Sequence, residues 1–166
     1  MNLTDRYAAV VALSARALNT FQSPLALAVR LWVSWQFLIS GYLKITAWEN
    51  TLFLFENEYR VPLLPSHAAA VVGTFGELFF PVLLIAGIAG RLSAIGMFAV
   101  NAMAVISYAH VLLSEGFEAA LAQHVLWGFM LVVLAVYGPG KLSLDHLLTR
   151  ERGASIVPVP TRPALI

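Results

Sequence analysis

Four long apolar runs, separated by short polar breaks, set the rhythm of this chain. A hydrocarbon core about 30 Å thick needs roughly 20 helical residues to cross it. The runs near residues 26–45, 68–88, 92–113 and 119–137 each reach about that length. The break at 87–91, Gly-Ile-Ala-Gly-Arg, is a tight turn, and Ser-Glu-Gly-Phe-Glu at 114–118 is nearly as short. Helices joined so closely lie antiparallel to their neighbours. The pattern predicts an all-α integral membrane protein, a four-helix up-down bundle with short amphipathic interfacial helices at both ends.

Three stretches follow from this: an amphipathic segment over 1–24, a membrane domain over 25–146 and a flexible tail over 147–166. In the first, Tyr7, Val10, Val11, Leu18 and Phe21 set against Arg6, Arg16 and Gln22 predict a helix lying on the cytoplasmic surface, opened by Thr4 and Asp5. Arg6 ahead of a short apolar run, with Ala15-Arg16-Ala17 after it, mimics a secretory leader, but the helical periodicity fits the amphipathic reading better. At the far end Gly138-Pro139-Gly140 stops the fourth helix. Ser143 then caps a short interfacial helix, and Pro158, Pro160 and Pro163 mark the tail as flexible. Between the first two runs, Trp48, Phe53, Phe55 and Tyr59 alternate with charges. That segment reads as an aromatic anchor in the interface, with a lid over the outer mouth of the bundle as the alternative.

Composition strengthens the membrane reading. Of 166 residues, 60% are apolar and 11% charged, against about half and a quarter in soluble domains; mean hydropathy is +0.80. The absence of cysteine removes disulfides, thiolate metal sites and thiol redox chemistry, so any redox role needs a bound cofactor or a partner. A net charge of +1 with no basic cluster excludes nucleic acid as a partner. Distribution is more telling than the sum. Arg6, Arg16, Arg30, Arg91, Lys141, Arg150, Arg152 and Arg162 fall on one side, while Lys44 and Arg60 share the other with five acids. By the excess of cations on the cytoplasmic face, both termini are expected to be cytoplasmic.

Candidate chemistry lies in the outer half of the spans. At about 1.5 Å per residue, Glu77 sits roughly 12 Å below the outer boundary, Gln36 roughly 13 Å and His124 roughly 7 Å. Tyr108 and His110 are shallower, Lys44 ends the first helix, and Asn101 falls near the midplane. Trp32, Gln36, Ser40 and Lys44 recur every four residues and form one stripe facing the bundle. Glu77 precedes Pro81 by four residues, so its carbonyl loses its helical donor. A carboxylate at that depth is expected to be neutral, paired or hydrated. The ligand-binding candidates are therefore Gln36, Lys44, Glu77, Tyr108, His110 and His124. The bland reading of the same groups is interhelical glue, with Glu77 paired to Lys44 or bonded to Gln36. Arg30 and Asn101 read as structural polar residues, and the glycines at 73, 76, 87, 90 and 96 as close-packing positions. His110 and His124 are weak metal candidates, because no short ligand spacing connects them.

Arg30 opening the first helix, Gly41-Tyr42-Leu43-Lys44 closing it, Glu77 with Gly87 and Arg91 at the exit of the second, and Gly-Pro-Gly-Lys-Leu-Ser-Leu-Asp leaving the fourth resemble the DoxX family. The resemblance spans about residues 26–146. It implies a small four-helix protein of the cell inner membrane. Some members, including DoxD-type proteins, are subunits of thiosulfate:quinone oxidoreductases, and others occur with redox or detoxification partners. Arg30, Lys44 and Glu77 fall on recurring polar positions of the family. The expected function is a membrane component of a redox or stress-linked complex, with a protein partner and an outer-half pocket suited to a quinone. The alternatives are a non-catalytic anchor or assembly factor and a small metal- or solute-handling protein. Homo-oligomerisation stays open.

Overall fold

A computed structural model describes residues 2–154, and all the regular structure there is helical. Helix α1 spans Leu3–Thr46, α2 Trp48–Asn57, α3 Ser66–Ala86, α4 Gly90–Ser107, α5 Ala109–Leu112, α6 Glu118–Tyr137 and α7 Leu144–Ala154. Three of these, α3, α4 and α6, are long and apolar enough to cross a membrane. The matching half of α1 carries Arg30, Ser34, Gln36 and Ser40, which dilute its apolar content. That half nonetheless packs along α3 and touches α6, while α4 bridges α3 and α6, so the four long helices close into a ring. Phe75, Phe79, Val82, Ile95, Val125 and Phe129 are exposed on its outside, an apolar surface that suits lipid rather than water.

Two expected boundaries are corrected. The interfacial helix over 1–24 is not separate: α1 runs unbroken through Pro24. Proline withdraws one helical hydrogen bond, here the one to the carbonyl of Thr20. That turn is exposed, so water can serve the carbonyl instead. The cap also differs from the expected Thr4-Asp5 start. Asn2 Oδ1 accepts from the Asp5 N–H at 3.1 Å while Asp5 Oδ2 accepts from the Asn2 N–H at 3.1 Å, a reciprocal capping box.

The third run, expected over 92–113, divides at Tyr108. The Arg60 N–H donates to the Ser107 carbonyl at 2.8 Å, so a distant loop captures the acceptor that would have continued the helix. The short breaks behave as read. Gly87 adopts a left-handed φ of 68° and closes α3, and Gly138 closes α6. Ser143 Oγ accepts from the His146 N–H at 3.3 Å, capping α7, which continues to Ala154 through the start of the stretch expected as a tail. The remainder of that expectation, with Pro158, Pro160 and Pro163, lies outside the described residues.

The main core gathers Val33, Phe37, Leu84, Ala94, Met97, Leu131 and Leu134, toward the end of the ring that carries the Gly87 turn. A second, smaller cluster of Phe55, Ala69 and Ala70 attaches α2 to α3 at the opposite end, joined by Trp48, Leu52, Tyr59 and Val61. The space between these clusters is where the candidate site lies.

Candidate functional site

At the Gly87 end, Arg30 is 1% exposed and has no carboxylate partner among the described residues. Its planar guanidinium instead donates to four carbonyls: Leu84 at 2.7 Å, Ile85 at 2.5 Å, Pro139 at 2.7 Å and Leu142 at 2.8 Å. Leu84 and Ile85 sit in the last turn of α3, where carbonyls short of helical donors and the helix dipole both favour a cation; the Leu84 carbonyl also accepts from the Gly87 N–H at 3.2 Å. One buried charge thus ties α1 to α3 and to the loop after α6. Asp145 completes the arrangement by accepting from the N–H groups of Ala89 at 2.9 Å and Gly90 at 2.8 Å, which caps α4. Asp145 was not among the expected site residues. Its signal was a lone acid following the Gly-Pro-Gly stop.

Toward the α2 end, the ring encloses a cavity of about 520 Å³. Phe37, Phe80 and Trp127 form its floor against the main core, and Phe55, Tyr59, Val61 and Leu64 cover the other side. α3 and α4 present small residues to the cavity, Gly73, Ala99 and Ala104, while Gly96 receives the Phe80 ring. The lining residues Leu64, Val72 and Met103 are also exposed on the outside of the protein, so the cavity wall continues to the apolar surface.

The polar groups in this wall come from α1, α3, α4, α6 and the segment after α2. Glu77 is 6% exposed and accepts from Lys44 Nζ through both oxygens, at 2.5 and 2.6 Å. Lys44 gives its third N–H to Ser40 Oγ at 3.1 Å, so all three of its donors are used. Gly41 allows this pairing: a Cβ there would lie 2.8 Å from Leu78 Cδ2 and 3.2 Å from Glu77 Cβ, so the bare backbone brings α1 against α3. Gln36 lines the same cavity but makes no side-chain hydrogen bond among the described residues. Gln36 and Glu77 line the same cavity without a direct bond between them.

On α6, His124 turns Nδ1 to Asn101 Oδ1 at 2.8 Å, while Asn101 Nδ2 donates to the His124 carbonyl at 3.0 Å. The imidazole also stands edge-on to Trp127, with ring centroids 4.9 Å apart. Tyr108 lines the cavity and packs edge-on against Tyr59 at 5.2 Å. Tyr59 lies outside the spanning helices, and burial, then Tyr108 and the charges of Glu77 and Glu58, push its hydroxyl above the ordinary tyrosine range.

Of the six ligand-binding candidates, Gln36, Lys44, Glu77, Tyr108 and His124 line one cavity. His110 does not. It is exposed and meets only the outer edge of the group, 5.6 Å from the Tyr108 ring. His110 and His124 are therefore not brought together as a metal pair, and no group of three or more His, Asp or Glu side chains stands ready for a metal among the described residues. The segment expected as an aromatic anchor supplies Phe55 and Tyr59 to the cavity wall, which the anchor reading had not given it. Of the glycines read as packing positions, Gly73 and Gly96 both line the cavity; Gly96 is packed tightly on Phe80, whereas a Cβ at Gly73 would meet only Phe55, at 3.5 Å.

An all-helical ring with an apolar exterior, three spanning-length helices and an ion pair beside an internal cavity defines a polytopic helical membrane protein. The DoxX family model matches residues 25–111, and a protein of Haemophilus influenzae described as uncharacterized is 30% identical over 132 residues, covering 75% of this chain and 83% of that relative. The chain belongs to the DoxX family. No solved structure matches it.

Proposed function

We propose that this protein is a four-span inner-membrane component of a redox or stress-linked assembly, and that its cavity binds an apolar ring carrying oxygen substituents, of the quinone class. In this reading the half of α1 beside α3 is the fourth span, the cavity lies in the outer half and both termini are cytoplasmic. The observation that carries the ligand reading is a cavity of about 520 Å³ whose walls are mostly apolar, with a few polar groups on the inside and Leu64, Val72 and Met103 reaching the lipid-facing exterior. Small-molecule sites have this size and character, roughly 300–1,000 Å³ with few but placed polar groups. A ligand dissolved in the bilayer would reach such a site without crossing water.

The expected roles within the site shift. Lys44 has no free N–H, so its contribution is to hold Glu77 in place, and the groups left for a ligand include Gln36, Tyr59, Tyr108, His124 and the remaining lone pairs of Glu77. The test is titration of purified protein in nanodiscs with a short-chain ubiquinone, read as quenching of Trp127 and checked against Trp127→Phe. Saturable quenching that Gln36→Leu weakens and Gly73→Leu abolishes is the expected result. Unsaturable quenching, or equal quenching in Gly73→Leu, removes the reading.

A second reading has its own support, because the doubly bonded Lys44–Glu77 pair is also what an interhelical lock looks like. There the protein is an anchor for a partner protein and the cavity is incidental. Cavity-filling by Gly73→Leu then leaves partner recovery in a membrane pull-down unchanged, whereas on the ligand reading it removes quinone binding.

A further inference from the structure

We infer that the cavity takes its ligand through a hydroxyl group donated to Nε2 of His124, and so selects the dihydroxy form of the ring over the dicarbonyl form. This rests on the reading of the cavity as a ligand site and specifies what that site recognises.

The carbonyl of His124 can only accept, so the Asn101 group facing it at 3.0 Å must be the amide nitrogen. The other amide atom, 2.8 Å from the imidazole Nδ1, is then the oxygen, which also only accepts. Nδ1 must therefore carry the hydrogen. In the neutral imidazole this leaves Nε2 as a bare acceptor, since the hydrogen bond at one ring nitrogen sets the state of the other. Gly128 keeps the arrangement tight: a Cβ there would stand 3.3 Å from Asn101 Nδ2, so α4 and α6 approach closely where Asn101 spans them.

Nε2 has no hydrogen-bond partner among the described residues. Nor is it sealed away: among the described residues the enclosed side-chain atoms that lack partners are Ser34 Oγ and Thr74 Oγ1. It remains accessible on a residue that lines the cavity. The rest of the wall has the same bias. Lys44 spends its three N–H groups on Ser40 and Glu77, whereas each Glu77 oxygen keeps accepting capacity after its bond to Lys44. The strong polar groups thus offer acceptors, Nε2 and the Glu77 carboxylate, whereas the donors left in the wall are all neutral: Gln36, the Ser40 hydroxyl, Tyr59, Tyr108 and the Trp127 indole N–H. A ring carbonyl placed against Nε2 sets acceptor against acceptor; a ring hydroxyl satisfies it.

The experiment compares short-chain ubiquinol and short-chain ubiquinone under anaerobic conditions, together with the dimethyl ether of the quinol, by Trp127 quenching in nanodiscs. The quinol is expected to bind at least about tenfold more tightly than the quinone, because a site built for a hydroxyl leaves its acceptor unpaired with the analogue. The ether is expected to fall to the quinone's level. Asn101→Leu frees Nδ1 to lose its hydrogen, and is expected to shrink the preference below about threefold without weakening the quinone, by the same unpaired-acceptor argument. Independently, ¹⁵N NMR of histidine-labelled protein should show the Nδ1–H tautomer at His124. Quinol and quinone binding within a factor of about two would overturn this inference and leave the ligand site standing; an Nε2–H tautomer would do the same. If neither form binds saturably, the ligand reading fails and takes this inference with it.

Discussion

Arg30→Met separates two physical pictures of a membrane helix. On hydropathy alone the substitution should help, since an arginine within a span is costly and methionine is not. The hydrogen bonds say the opposite. Arg30 donates to four carbonyls at 2.5–2.8 Å while 1% exposed, and methionine leaves all four without that donor. Charge-assisted bonds are worth about 1.5–3 kcal/mol each, which sets a ceiling of about 6–12 kcal/mol. The carbonyls lie at a helix end and in a loop, where water can replace part of the loss, so the expected destabilisation is about 3–5 kcal/mol, the range for breaking one side of a buried charged contact. Arg30→Lys keeps the charge but not the planar fork. It is expected to lose about 2 kcal/mol by reaching two carbonyls instead of four. Equilibrium unfolding in mixed micelles, followed by far-UV circular dichroism, measures both. If Arg30→Met lies within about 0.5 kcal/mol of the parent, the size expected of an inert substitution, the four bonds do not hold this end together.

Three other outcomes follow from the geometry. Lys44→Met leaves the Glu77 carboxylate unpaired and is expected to cost about 3 kcal/mol, whereas Lys44→Met with Glu77→Leu is expected to recover to within about 1 kcal/mol of the parent, as replaced buried pairs do; the same unfolding assay reads both. Gly41→Leu forces a side chain into the space of Leu78 and the Glu77 Cβ and is expected to cost about 1–3 kcal/mol, with Gly41→Ala smaller because the end of Leu78 can move. For Tyr59 the folded state favours the neutral phenol, chiefly by burial. Its contribution to stability is therefore constant at neutral pH and is lost as pH rises past about 10, where the unfolded chain ionises first. A stability–pH profile that keeps the same alkaline slope in Tyr59→Phe would contradict this.

The parts of the fold that were legible in the sequence are those fixed by local chemistry. Gly87 and Gly138 end their helices with positive φ angles, Gly87 in the left-handed helical region and Gly138 in an extended one, and both breaks were read correctly. The break at Tyr108 was not legible, because it is set by Arg60, 48 positions away, capturing the Ser107 carbonyl. The continuity of α1 was not legible because the amphipathic pattern of 1–24 differs from the apolar run after it; whether the helix can pass Pro24 depends on the orphaned carbonyl finding water, and exposure is not written in the local sequence. For the site, depth counting placed Gln36, Glu77 and His124 in one half, and five of six candidates do line one cavity. His110 was misplaced because α4 ends three residues before it, which rotates α5 off the expected face. The bond that changes the chemistry most, Asn101 to His124, joins two helices and had no pattern to announce it.

The two polar ties between α1 and α3 have unequal duties. Arg30 meets the last turn of α3, and Lys44 meets Glu77 fourteen residues further along α1, a separation of about 21 Å on a helix. Between them lies continuous apolar packing, with Val33, Phe37 and Leu84 in the main core. At the Gly87 end Arg30 and Asp145 also fasten the loop after α6 and the start of α4, so several elements depend on two side chains. The Lys44–Glu77 pair joins two helices that the core already holds side by side. Its removal as a pair should therefore alter the polarity of the cavity without dismantling the ring. That makes Lys44→Met with Glu77→Leu a variant in which packing and ligand binding come apart: a folded protein whose preference for quinol over ether narrows would assign the carboxylate to a second ligand hydroxyl beside the one on His124 Nε2, and one whose preference is unchanged would assign the carboxylate to the helices.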